Sequence, residues 1–172
     1  IKILEISKSN EKIPFIVFKF TGLIPFKILN KISDKQELNS YEQKTYDLFI
    51  NRINLICKKA IKIKTPIFID AEESWIQDAI DKIVLSLMKK YNQKEVLVYN
   101  TLQMYRNDRI AYLNKTITVA KNENFKLGFK LVRGAYHEKE IARAKKNGYK
   151  TPVHLKKEDT DVDFNKSLEI CM

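Results

Sequence analysis

A chain of 172 residues, 44% hydrophobic and 10% aromatic, is long enough to bury a core, and no apolar run approaches the roughly 18 residues of a membrane span. The formal charge of +11, from 32 Lys+Arg against 21 Asp+Glu, raises a nucleic-acid surface as one reading. Pairs such as Lys58-Lys59, Lys89-Lys90 and Lys156-Lys157 are instead scattered on or beside predicted helices, with no nucleic-acid-binding signature, and read as a solvated face.

Taken in chain order, four short apolar runs are predicted strands, near 14–20, 66–70, 95–99 and 125–132. Their cores, such as Phe15-Ile16-Val17-Phe18 and Val96-Leu97-Val98, are continuous rather than alternating, which suits strands buried on both faces of a parallel sheet. Helices are predicted between them. Ser40 with Gln43 reads as a capping box, and Phe49, Ile53, Ile56 and Ala60 mark one face of the helix that follows. A second helix covers about 75–91 and a third about 106–122. A fourth follows Tyr136 and stops at Gly148, which reads as a left-handed cap. Thr160 with Asp163 is read as the start of a fifth. Cys57, Cys171, His137 and His154 lack metal-ligand spacing and form no disulfide framework, so a reducing compartment and no structural metal are expected.

This cadence describes an α/β protein of right-handed βαβ units. A doubly wound open sheet and a (β/α)8 barrel both fit. No G-x-G-x-x-G follows the first strand, which argues against a dinucleotide-binding unit. A barrel takes about 250 residues, so this chain would supply about its first half. Ile1 opens the chain and Cys171-Met172 closes it just after a helical pattern begins; both ends read as cut, making 1–172 part of one larger barrel domain.

In a barrel the carboxyl ends of strands face the active site. Those positions hold Lys19, then Asp70-Ala71-Glu72-Glu73, then Asn100-Thr101 with Gln103, then Lys130 through Tyr136. Lys19 and Asp70, on neighbouring strands, are expected partners, because a buried lysine needs a compensating carboxylate. Lys130 can donate to a polar ring atom of a cofactor that gains electron density. Arg133 and the backbone N–H groups of Gly134 and Ala135 are placed to hold a phosphate, and Tyr136 to close over a small substrate.

Four segments carry a specific resemblance: Lys19-Phe20-Thr21-Gly22-Leu23, Phe68 through Ser74, Tyr99 through Tyr105, and Lys130 to Tyr136 followed by Glu138-Lys139-Glu140. In order and spacing they resemble successive motifs of the proline dehydrogenase family. Gly148-Tyr149, Pro152 and Thr160-Asp161 are similar as well. The resemblance implies a distorted (β/α)8 barrel that binds FAD, oxidises L-proline to 1-pyrroline-5-carboxylate by hydride transfer to the flavin, and passes electrons to a membrane quinone. It implies Asp70 and Lys130 as the catalytic candidates, Lys19 and Tyr136 at the substrate pocket, and flavin or phosphate contacts from Ala71, Asn100, Lys130, Val132, Arg133, Gly134 and Ala135, with Lys157 and Thr160 toward the adenine side. Some family members carry Arg at the position of Lys130, Gln at that of Asn100 and a hydroxyl residue at that of Leu155. The family's substrate-clamping tandem arginines would lie beyond Met172. The 172 residues alone are therefore expected to bind neither FAD nor proline tightly.

Hydroxyproline oxidation within the same family is the nearest rival expectation. A basic module that binds nucleic acid or anionic membrane is the rival from another class. Peripheral membrane contact is compatible with the basic surface. The expected location is cytoplasmic or on the inner membrane in a bacterium, and mitochondrial in a eukaryote.

Overall fold

The computed structural model describes residues 2–8, 10 and 12–172. Four strands, β1 (Ile16–Phe18), β2 (Ile67–Ile69), β3 (Val98–Gln103) and β4 (Phe129–Val132), form one parallel sheet in the order β1-β2-β3-β4. Helix α1 (Lys2–Lys8) precedes β1. A short 3-10 turn (Phe20–Gly22), α2 (Phe26–Ser33) and α3 (Ser40–Ile63) connect β1 to β2, and α4 (Ser74–Tyr91) and α5 (Arg109–Glu123) make the next two crossovers. Helices α6 (His137–Asn147) and α7 (Lys157–Cys171) follow β4. This is the (β/α) barrel arrangement with about half its strands; the order excludes the reversal of a doubly wound sheet.

The core lies between the sheet and its helices. Ile67, Ile69 and Val98 point outward and pack with Ile76, Ile80, Ile83 and Val84 of α4 and with Phe49 and Ile53 of α3. Leu102 packs with Leu113 of α5 in a second cluster, against which Phe129, Leu131 and Phe164 lie. The opposite face of the strands points toward the barrel axis. There Phe15 stacks on Phe68 at 4.6 Å and Phe68 meets Tyr99 at 4.4 Å. Gly128, beside Tyr99 in the register, leaves room for that ring, because a Cβ would collide with it. Apolar grooves of about 650 and 670 Å³ run along β1 and β4, the two unpaired edges of the sheet.

Several boundaries differ from expectation for local reasons. The capping box on α3 is Asn39 with Glu42, one residue ahead of Ser40 with Gln43: the Asn39 side chain accepts from Glu42 N, and Glu42 accepts from Asn39 N. Helix α7 begins at Lys157, so Thr160 lies inside it and is buried. The third strand starts later and runs further than 95–99, ending at Gln103. The left-handed stop at Gly148 is present, at φ 69°.

Candidate functional site at the carboxyl rim

Strand alternation decides which side chains reach the rim. Phe18 pairs with Ile69 and Thr101 with Lys130. Continuing that register by one residue sets Lys19, Asp70, Thr101 and Lys130 in one layer on the inward face. The layer is charged and only partly solvated. Lys130 Nζ forms an ion pair with Asp70 Oδ1, the two side chains being 30% and 28% exposed. Lys19 Nζ donates to Tyr136 Oη at 3.0 Å across 117 residues of sequence. That hydroxyl, with lesser help from the Glu72 and Asp70 carboxylates, holds the Lys19 ammonium above its ordinary pKa. Lys19 therefore meets Tyr136, and Asp70 meets Lys130, rather than the expected Lys19–Asp70 pair.

Asn100 does not join them. It lies inside β3 rather than beyond its end, and alternation puts it on the same face as Val98, toward the helices, where it is 1% exposed. Its amide donates to Asp81 Oδ1 at 2.9 Å and its Oδ1 accepts from Thr101 N. Asp81 also accepts from Gln77 and from Arg109, at 2.8 and 2.6 Å, and Arg109 lies over the Tyr112 ring at 4.8 Å. Burial alone would lower the Arg109 pKa, but the carboxylates of Asp81 and Asp108 raise it further. This is a closed structural network between α4 and α5. The amide that reaches the inward face is Gln103, two residues past Thr101. It donates to Glu72 O at 2.7 Å and accepts from Ala135 N at 3.4 Å, joining the loops after β2 and β4.

The remaining candidates gather around a second feature. Arg133, Gly134, Lys157 and Thr160 line a cleft of about 280 Å³ with Tyr105, His137 and Lys156. Gly134 adopts φ 140°, and a Cβ there would strike the Tyr105 ring, so only glycine fits. Asp161 accepts from Lys157 Nζ and Arg133 Nε, and these bonds hold its carboxyl below the ordinary carboxylate pKa. One carboxylate thus holds two cations, with Lys156 also lining the cleft, a donor set that fits an anionic diphosphate exchanging for Asp161. Ala71 is buried beside Asp70, Val132 ends β4 next to Gln103, and Ala135 is exposed with its N–H turned to Gln103.

Two buried carboxylates also brace the rim. Glu72 accepts from both the backbone N–H and the hydroxyl of Thr21, and Glu140 accepts from both the N–H and the hydroxyl of Ser74. Neither was among the expected site residues. A signal existed for Glu140: with Ala144, four residues on, it occupies the buried stripe of α6.

Fold and rim together define a (β/α)-barrel protein with paired charges at the carboxyl ends of its strands and a cationic cleft beside them. The chain belongs to the proline dehydrogenase family, whose model it matches over residues 3–172. It is 38% identical to proline dehydrogenase 1, mitochondrial, of Drosophila melanogaster over 131 residues, covering 76% of this chain and 19% of that protein. With the Homo sapiens protein of the same name the identity is 33% over 144 residues, covering 83% and 23%. The chain thus spans about a fifth of the length of these relatives. Among solved structures, proline utilization A from Bdellovibrio bacteriovorus superposes with a TM-score of 0.75 at 15% identity, covering 95% of this chain and 17% of that one. That likeness establishes the fold. Among the described residues no helix is long and apolar enough to cross a membrane.

Proposed function

We propose that these residues form part of one barrel domain of an FAD-dependent enzyme that oxidises L-proline to 1-pyrroline-5-carboxylate, with a quinone taking the electrons. Family membership supports the reaction. The observation that carries the assignment to particular residues is the inward layer of Lys19, Asp70 and Lys130 with Tyr136, lying beside the cationic cleft.

Bound there, the flavin would supply the hydride acceptor for oxidation of the proline ring C–N bond to an imine. Arg133, Lys157 and the Gly134–Ala135 backbone would hold its diphosphate, Arg133 and Lys157 releasing Asp161 to do so. Thr160 would extend that contact toward the adenine side. Asp70 pairs with Lys130 on the inward face, which keeps an N–H donor at the barrel mouth, and that donor would stabilise negative charge that develops during reaction. Lys19 and Tyr136 close the pocket from β1 and the β4 loop. Ala71 and Val132 would pack against the flanks of the ring system. Asn100 takes no direct part, and Gln103 bridges the loops that do. A mitochondrial location follows the names of the relatives, should the source be eukaryotic.

The test uses the complete protein. Anaerobic addition of proline to the purified yellow enzyme is expected to bleach the flavin absorbance, and Asp70→Asn and Lys130→Met are expected to slow that bleaching by about a hundredfold or more. A colourless protein, or unchanged bleaching in both variants, would overturn the assignment. The isolated 172 residues are expected to show no saturable tight binding in a stoichiometric FAD titration.

A further inference from the structure

The first four N–H groups of any helix have no partner within it. Helix α4 begins at Ser74, and the preceding residue, Glu73, makes no side-chain cap. The missing acceptor comes instead from 66 residues downstream. Glu140 of α6 accepts from Ser74 N at 2.7 Å and from Ser74 Oγ at 2.6 Å, and the residue is 0% exposed. A carboxylate removed from water this completely is costly unless its bonds compensate. Here both oxygens are engaged, and the positive end of the α4 dipole lies under them.

Neighbouring residues reinforce the same junction. Lys139 pairs with Glu73 and lies 5.6 Å from the Trp75 ring, while Arg143 covers that ring at 4.3 Å. The first two turns of α6 are therefore docked on the start of α4. Along the chain, Ser74 stands four residues after Asp70, and Glu140 stands four residues after Tyr136. Fixing one pair fixes the separation of the two rim loops.

We propose that Glu140 is a positioning residue: by capping α4 from α6, it sets the distance between the loop bearing Asp70 and the loop bearing Arg133 through Tyr136. It touches neither substrate nor cofactor. Its effect on catalysis rests on the proline-oxidation reading above, whereas the tie itself stands on geometry alone.

The test compares the complete protein with Glu140→Ala, Glu140→Gln and Ser74→Ala. Hydrogen–deuterium exchange in residues 70–76 and 133–139 is expected to rise together in Glu140→Ala, by about tenfold or more, with residues 98–103 little changed. Ser74→Ala should add little once Glu140 is gone, because both substitutions break the same contact. In proline oxidation KM should rise about tenfold with a smaller change in kcat, and Glu140→Gln, which keeps one acceptor, should recover part of the loss. Exchange that rises in only one loop, or uniformly along the chain, would overturn the proposal, as would an unchanged KM in an active enzyme. A wild type that does not oxidise proline would defeat the functional reading, and the exchange comparison would then decide the tie by itself. If Glu140→Ala fails to fold, Glu140→Gln and Ser74→Ala carry the same comparison.

Discussion

The two faces of β3 present opposite ways of using polar residues. On the helix side, Asn100, Asp81, Arg109 and Gln77 are each at most 4% exposed and saturate one another with hydrogen bonds. On the barrel side, Asp70 and Lys130 are about 30% exposed and Lys19 is held by a tyrosine hydroxyl. A closed buried network has one arrangement and resists change. A half-solvated pair can exchange partners at little cost, as an incoming ligand requires. Both faces carry charged side chains, and they differ in how fully those charges are committed to partners.

Breaking the closed side should cost the most stability. Arg109→Ala leaves Asp81 buried without its cation and is expected to lower unfolding stability by about 3–5 kcal/mol, read from denaturant midpoints of the complete protein. Asn100→Ala removes one donor to Asp81 and should cost about 1–3 kcal/mol while leaving flavin absorbance intact. A loss of flavin without loss of stability would return Asn100 to the cofactor site.

The rim should behave in the reverse manner. Lys130→Met is expected to change stability by less than about 1 kcal/mol, because the pair is partly solvated, while proline oxidation falls steeply. The smallest effect is an acid one. Burial pushes the Asp108 carboxyl up, but the guanidiniums of Arg109 and Arg106 outweigh it and bring the pKa down to about 2. A carboxylate depressed in the fold stabilises it above the unfolded pKa, about 3.9, and that gain is lost as pH falls through about 2. The stability gap between wild type and Asp108→Asn should therefore be constant above about pH 5 and close as pH falls toward 2. A gap that persists at pH 2 would show that Asp108 acts through packing rather than charge.

The parallel order, the crossover helices and the carboxyl-end loops were legible because buried strands and amphipathic helices leave different periodicities. Lys19 and Asp70 directly follow β1 and β2, and Lys130 lies two residues before the end of β4, so strand ends alone put all three at the rim. The placement of Asn100 turned on a boundary. Reading β3 as ending at 99 put Asn100 in a loop, whereas the strand continues to Gln103 and alternation turns Asn100 toward the helices. Where a strand stops decides whether alternation governs a residue at all, and in a strand successive side chains take opposite faces.

By itself, the sequence determined the element order, the family and the residue types available at the rim, since these follow from local pattern and motif. Which of those residues meet was settled only in three dimensions. Lys19 finds Tyr136, and Glu140 finds Ser74, across 117 and 66 residues because parallel neighbours and docked helices bring them together. Periodicity fixes the direction in which a side chain leaves its own element. Only packing fixes what waits at the other end.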